Sequence, residues 1–117
     1  MVVIVEDEAD LAQTCERLLR RSGHEVVTAG TCAAGLTALA AGRPRLLVCD
    51  IRLPDGDGLE LVRVARQLTP PVPAIVMTAH PSAAGRRAAL ASGADGYLMK
   101  PFSAAAFSSL VETTIAR

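Results

Sequence analysis

Five short apolar runs, each followed by a helix-length segment, divide this chain into strictly alternating units. The first run, Val2-Val3-Ile4-Val5, is β-branched, has no polar residue to face solvent and stops at Glu6, as a strand buried on both faces would. Leu11, Cys15, Leu18, Leu19 and Ser22 then recur at helical spacing, with Gly23 placed to end that helix. Glu25-Val26-Val27-Thr28 predicts a second strand. The segment from Cys32 to Ala41, apolar at Leu36 and Leu39, predicts a second helix, stopped by Gly42 and Pro44. Leu46-Leu47-Val48-Cys49 is a third strand, and Asp50 to Asp57, with Pro54 and Gly56, is expected as a loop. Leu61, Val62, Ala65 and Leu68 mark a third helix ending before Pro70-Pro71. Ala74-Ile75-Val76-Met77 is strand four, Ser82 to Ser92 a helix diluted by Gly85, and Gly96-Tyr97-Leu98-Met99 strand five. Ser103 is an N-cap for a last helix with Phe107, Leu110, Val111, Thr114 and Ile115 on its buried stripe, running to Arg117.

Parallel strands need crossover connections, so this alternation implies an α/β fold: a single (βα)5, doubly wound, five-stranded parallel sheet with helices on both faces. The expected strand order is the flavodoxin-like 2-1-3-4-5. With 117 residues and no internal repeat or linker, residues 1–117 make one domain, and any further domain lies outside this sequence.

Composition removes several function classes. Twelve basic and twelve acidic residues cancel, which argues against direct nucleic-acid binding by this domain. No run approaches the roughly 20 apolar residues of a membrane span, so a cytoplasmic home with no membrane contact is expected. Cys15, Cys32 and Cys49 stand singly, without disulfide or zinc spacing, and read as buried or half-buried thiols.

Ligands of such folds bind beyond the carboxyl ends of the strands, where the strand order reverses. Strand one is followed by Glu6, Asp7 and Glu8, strand three by Asp50, strand four by Thr78, and strand five by Lys100. Strands one and three are neighbours in the expected order, so the acids meet. Strand five lies roughly 10 Å from strand three, a gap only a long side chain crosses. Lys100 is the sole lysine beside eleven arginines. Two carboxylates 5 Å apart repel by about 3 kcal/mol at an effective dielectric of 20, so a cation or protons must offset them. Glu6, Asp7 and Asp50 offer oxygen and neither sulfur nor imidazole, which suits Mg²⁺. With the Thr78 hydroxyl and Lys100 as donors, the group is suited to a phosphoryl ligand.

Four runs, Ile4-Val5-Glu6-Asp7-Glu8, Val48 through Gly58, Met77-Thr78-Ala79 and Gly93 through Phe102, together resemble the receiver domain of two-component response regulators over nearly the whole chain. The resemblance implies that Asp50 is the phosphoacceptor. It further implies that Glu6, Asp7, Asp50 and the main-chain carbonyl of Arg52 hold Mg²⁺, and that Thr78 and Lys100 bind phosphoryl oxygens. The Lys100–Pro101 bond is expected to be cis, and Tyr97 to turn inward as Thr78 moves toward the phosphate. The surface of the fourth helix, fifth strand and last helix would then control an output domain or downstream protein, or form a homodimer, with a sensor histidine kinase as phosphoryl donor. Such a domain is not an enzyme in its own right, although it assists its own phosphorylation and dephosphorylation. The alternative is a receiver-like interaction module that is never phosphorylated. Glu-Asp replaces the commoner Asp-Asp pair, Arg52 is placed to overhang the phosphate, and His80, two residues after Thr78, could do the same but is expected to be simply exposed.

Calcium-loop, dinucleotide and P-loop spacings are absent. A haloacid-type phosphatase would need an aspartate where Arg52 stands, and a flavin carrier would need aromatic walls that three aromatic residues do not supply.

Overall fold

The computed structural model describes residues 1–116. Five parallel strands, β1 (Val2–Val5), β2 (Val26–Ala29), β3 (Leu46–Asp50), β6 (Ala74–Thr78) and β7 (Gly96–Met99), form one sheet in the order β2-β1-β3-β6-β7. A separate two-stranded hairpin, β4 (Arg52–Leu53) and β5 (Gly56–Asp57), follows β3. The helices are α1 (Ala9–Arg21), α2 (Cys32–Ala41), α3 (Gly58–Gln67), α4 (Ala83–Ala91) and α5 (Ala104–Ile115). The main sheet has the expected flavodoxin-like order.

Every residue of β1, β3 and β6 is buried, because helices cover both faces of the sheet and successive side chains point to opposite sides. Val2, Ile4, Leu46, Val48, Ile75 and Met77 face Cys15 and Leu19 of α1 and Phe107 and Val111 of α5. Val3, Val5, Leu47, Cys49, Ala74 and Val76 face Leu39 of α2, Leu61, Val62 and Ala65 of α3, and Ala89 of α4. Each fully buried aliphatic or aromatic side chain contributes about 1.5–3 kcal/mol relative to exposure, so these two layers supply most of the drive to fold. Gly35 lets α2 close on the sheet: a Cβ there would stand 2.9 Å from Val5 Cγ2.

Local signals set the helix ends. Thr31, Asp57, Ser82 and Ser103 each accept a backbone N–H from the first turn of α2, α3, α4 and α5. Gly23, at φ 90°, ends α1 in a left-handed conformation that a side chain would resist.

Four expectations need correction. The Asp50 to Asp57 segment is no plain loop, since Arg52 and Leu53 ladder with Asp57 and Gly56. The second strand is Val26–Ala29, one residue later than its polar and apolar pattern suggested. The third helix stops at Gln67, because Leu68 leaves helical geometry ahead of Pro70. The last helix stops at Ile115, capped by Ala116, and Arg117 lies outside the described residues. Of the two apolar positions that marked α2, Leu39 is buried and Leu36 is exposed.

Candidate phosphoryl and metal site

The parallel register delivers the site residues to one end of the sheet. Val5 pairs with Cys49, Asp50 with Met77, and Thr78 with Met99, so the residues that follow emerge side by side. The backbone continues the ladder beyond the strands: Glu6 N–H donates to Ala29 O at 2.9 Å, Ile51 N–H to Met77 O at 3.2 Å, and Lys100 N–H to Thr78 O at 2.8 Å. Glu6, Asp50 and Lys100 are therefore fixed by the sheet itself, whereas Asp7 stands in the bend that follows β1.

Glu6, at 3% exposure, and Asp50, at 8%, are nearly buried, whereas Asp7 faces solvent. Oxygens of Glu6, Asp7 and Asp50 all lie within 4.8 Å of one another. Lys100 crosses from β7 to place Nζ 2.7 Å from Asp50 Oδ2 and in contact with Glu6 Oε1. The other Asp50 oxygen, Oδ1, accepts the Arg52 N–H at 3.1 Å, and Glu6 Oε2 accepts the Glu8 N–H at 3.0 Å. Burial pushes the Glu6 carboxyl up, and the neighbouring Asp50 charge adds to this, against the pull of Lys100 and the Glu8 amide. Burial alone would lower the Lys100 ammonium. Its hydrogen bonds to Asp50 and Glu6, with their charges, outweigh that and raise it. The lysine is thus held as a cation between two carboxylates.

Thr78 is 3% exposed, and its hydroxyl oxygen accepts the His80 N–H at 3.0 Å, leaving the hydroxyl hydrogen uncommitted. A cavity of about 370 Å³ opens over this group, lined by Glu6, Asp7, Glu8, Asp50, Arg52, Thr78, Ala79, His80 and Lys100. Arg52, expected to overhang the site, and His80, expected to be exposed, are both on its exposed rim. Tyr97 on β7 is half-buried, and its hydroxyl is buried near Gly85 of α4 without a hydrogen-bond partner among the described residues. The Lys100–Pro101 bond is cis, as expected.

All donors in the acidic group are hard oxygens and one member is open to solvent, a set that fits a hydrated divalent cation such as Mg²⁺. A larger cavity, about 620 Å³, lies at the other end of the sheet and includes Arg43, Arg45 and Arg66 in its lining. The C-termini of α2 and α3 are at that end, and Arg66, in the last turn of α3, stands where the helix dipole favours a cation and pairs with Asp95 at 3.7 Å.

The sequence reading passed over Asp55. Its carboxylate accepts the N–H groups of Cys32 and Ala33, joining the hairpin to the first turn of α2. The available signal was an acid in an Asp-Gly turn and a helix start, Cys32-Ala33-Ala34, that has no acid of its own.

The family model for the response regulator receiver domain matches residues 2–112. The KDP operon transcriptional regulatory protein KdpE of Escherichia coli is 43% identical over 101 residues, covering 86% of this chain and 44% of KdpE. The chain thus spans less than half the length of the curated relatives it matches. A CheY-like response regulator receiver domain protein from Methanospirillum hungatei superposes with a TM-score of 0.92 at 30% identity, over 98% of this chain and 92% of that one. A response regulator from Burkholderia pseudomallei, solved with a phosphorylated aspartic acid, calcium and citrate, gives 0.88 at 27% identity, over 98% and 68%.

Proposed function

This chain belongs to the response regulator receiver domain family, and from that premise we propose that Asp50 accepts a phosphoryl group from a sensor histidine kinase or a small acyl phosphate. The observation that carries the proposal is the convergence on Asp50 of Lys100, at 2.7 Å, and two further carboxylates beneath an open cavity. An Asp50 oxygen attacks phosphorus, the bond to the donor's imidazole nitrogen or acyl oxygen breaks, and the donor leaves with that electron pair. The product is an aspartyl phosphate, as in the Burkholderia relative.

Glu6, Asp7, Asp50 and the Arg52 carbonyl would hold Mg²⁺, which supplies charge neutralisation at phosphoryl oxygens when bound. Lys100, already on Asp50 Oδ2, transfers a hydrogen bond to a phosphoryl oxygen. Thr78 donates its hydroxyl hydrogen to another. Catalysis by these residues is positioning and electrostatics, so the domain assists its own phosphorylation and dephosphorylation without being an enzyme that acts on others.

Movement of Thr78 toward the phosphoryl group vacates space beside β6, and Tyr97 turns further inward to fill it, repacking the α4-β7-α5 face. That face carries exposed Leu90 and Met99, at 51% and 56%, together with Arg86 and Arg87, and is the surface for an output domain, a downstream protein or a second copy. Residues 1–117 form the receiver unit, and the cytoplasm is where a histidine kinase would meet it. Among the described residues no helix is long and apolar enough to cross a membrane.

Incubation with acetyl phosphate and Mg²⁺, followed by intact-mass measurement, tests the assignment. The native chain should gain one phosphoryl mass, and Asp50→Asn or a chelator should abolish it. No adduct on the native chain refutes the proposal and leaves an unphosphorylated interaction module.

A further inference from the structure

The hairpin between β3 and α3 is secured at its root and its tip. At the root, Gly58 N–H donates to Ile51 O at 2.7 Å and Arg52 N–H to Asp50 Oδ1 at 3.1 Å. At the tip, Asp55 Oδ1 accepts the Cys32 N–H at 2.7 Å and Oδ2 accepts the Ala33 N–H at 3.0 Å. Thr31 takes the Ala34 N–H, and α2 has no acid in its own first turn. Asp55 is therefore the anion for that helix end, contributed by a segment more than 20 residues away. The Ala33 and Cys32 amides hold its carboxyl below the usual carboxylate range.

Arg52 lies between root and tip. The ladder around it has only the pairs Arg52–Asp57 and Leu53–Gly56, too few to fix a hairpin alone. Leu53 is buried beneath it and sets its depth, and the root bonds hold its base, which leaves the tip free to swing about that base. The two Asp55 bonds remove that freedom, which matters because Mg²⁺ demands near-octahedral oxygen placement.

We infer that Asp55 is a positioning residue: by gripping the N-terminal amides of α2 it aims the Arg52 carbonyl into the acidic site and so sets that site's affinity for Mg²⁺. The inference rests on the reading that Glu6, Asp7, Asp50 and the Arg52 carbonyl are the cation's ligands. Supporting groups behind metal ligands typically change affinity by about 10–100-fold.

Calorimetric titration of the unphosphorylated full chain with Mg²⁺ tests it without any turnover. Asp55→Ala should bind roughly tenfold more weakly. Asp55→Asn, which keeps one acceptor oxygen, should fall between that variant and the native chain. Thr31→Ala, which removes the other cap of α2, should lower the melting temperature and leave Mg²⁺ affinity unchanged. Native affinity in Asp55→Ala, or an equal loss in Thr31→Ala, overturns the inference. A native chain that binds no Mg²⁺, or an Asp50→Asn variant that binds it as well as native, overturns the reading of the site and this inference with it.

Discussion

Lys100 Nζ stands 2.7 Å from Asp50 Oδ2 across 50 residues of sequence, and the same ammonium touches Glu6. Both carboxylates are nearly buried, so the lysine is at once a structural counter-charge and a donor aimed at the proposed acceptor.

Removing Lys100 leaves two buried acids facing each other. Lys100→Ala should keep the fold but lose about 3 kcal/mol of stability in metal-free buffer, the usual scale for breaking a buried pair. Mg²⁺ should restore a large part of it, because a cation among the same oxygens replaces the lost charge. Chemical denaturation with and without Mg²⁺ measures both effects. The variant should also fail to couple phosphorylation to output.

The Lys100 and Glu6 shifts give opposite ends of the pH range a defined slope. Lys100 has its folded pKa raised above the ordinary 10.5, so its stabilisation is complete below that value and is lost as pH climbs through the folded pKa. Glu6 is raised above its ordinary 4.5, so the folded chain binds its proton more tightly and stability contributed by Glu6 declines as pH rises from 4.5 through the folded pKa. Urea midpoints against pH should show both slopes, and Glu6→Gln should flatten the acidic one.

Gly58 passes so close to β3 that an added Cβ would lie 1.8 Å from the Asp50 carbonyl oxygen. Gly58→Ala must displace the acceptor's own backbone and should cost about 3 kcal/mol or more, or prevent folding. Gly30→Ala meets nothing within 4 Å and should change stability by less than about 0.5 kcal/mol. Thermal unfolding of the two variants makes the comparison.

Thiol chemistry reports on the packing around the site. Burial pushes the Cys15 thiol up to about 11 and the Cys49 thiol higher still. Half-buried Cys32 is also raised, first by burial and then by Asp55. At pH 8 the folded chain should alkylate slowly at Cys32 alone, and at all three cysteines in denaturant. Asp55→Ala should speed the Cys32 reaction. Mass spectrometry of the alkylated peptides reads each position.

The buried, unpartnered Tyr97 hydroxyl bears a desolvation cost. Tyr97→Phe should therefore hold or raise the stability of the unphosphorylated chain, by up to about 1 kcal/mol in denaturant titrations.

The alternation of apolar runs carried the parallel sheet, and the acids and lysine after the strands marked the site, because parallel strands deliver their carboxyl ends to one edge. Lys100 bridging Asp50 was legible as a long side chain in the right place. Its contact with Glu6 was not, since that depends on how deeply strand β1 buries its following residue. The β4-β5 hairpin and the Asp55 grip on α2 were illegible for a different reason. The hairpin is local but has only two residue pairs, and Asp-Gly by itself predicts only a turn, while the Asp55 grip joins segments whose distance is set by helix packing. Leu36 counts as apolar in sequence, but the face of α2 that meets the sheet is chosen by Gly35 and Leu39.

A crystal structure of the chain with Mg²⁺ and beryllofluoride, a phosphoryl mimic, tests the central claim most directly. The account predicts the mimic on Asp50, within hydrogen-bond reach of Lys100 Nζ and Thr78 Oγ1, beside a cation held by Glu6, Asp7, Asp50 and the Arg52 carbonyl. A mimic bound elsewhere, or Asp50 left bare with Lys100 still locked between it and Glu6, would contradict it.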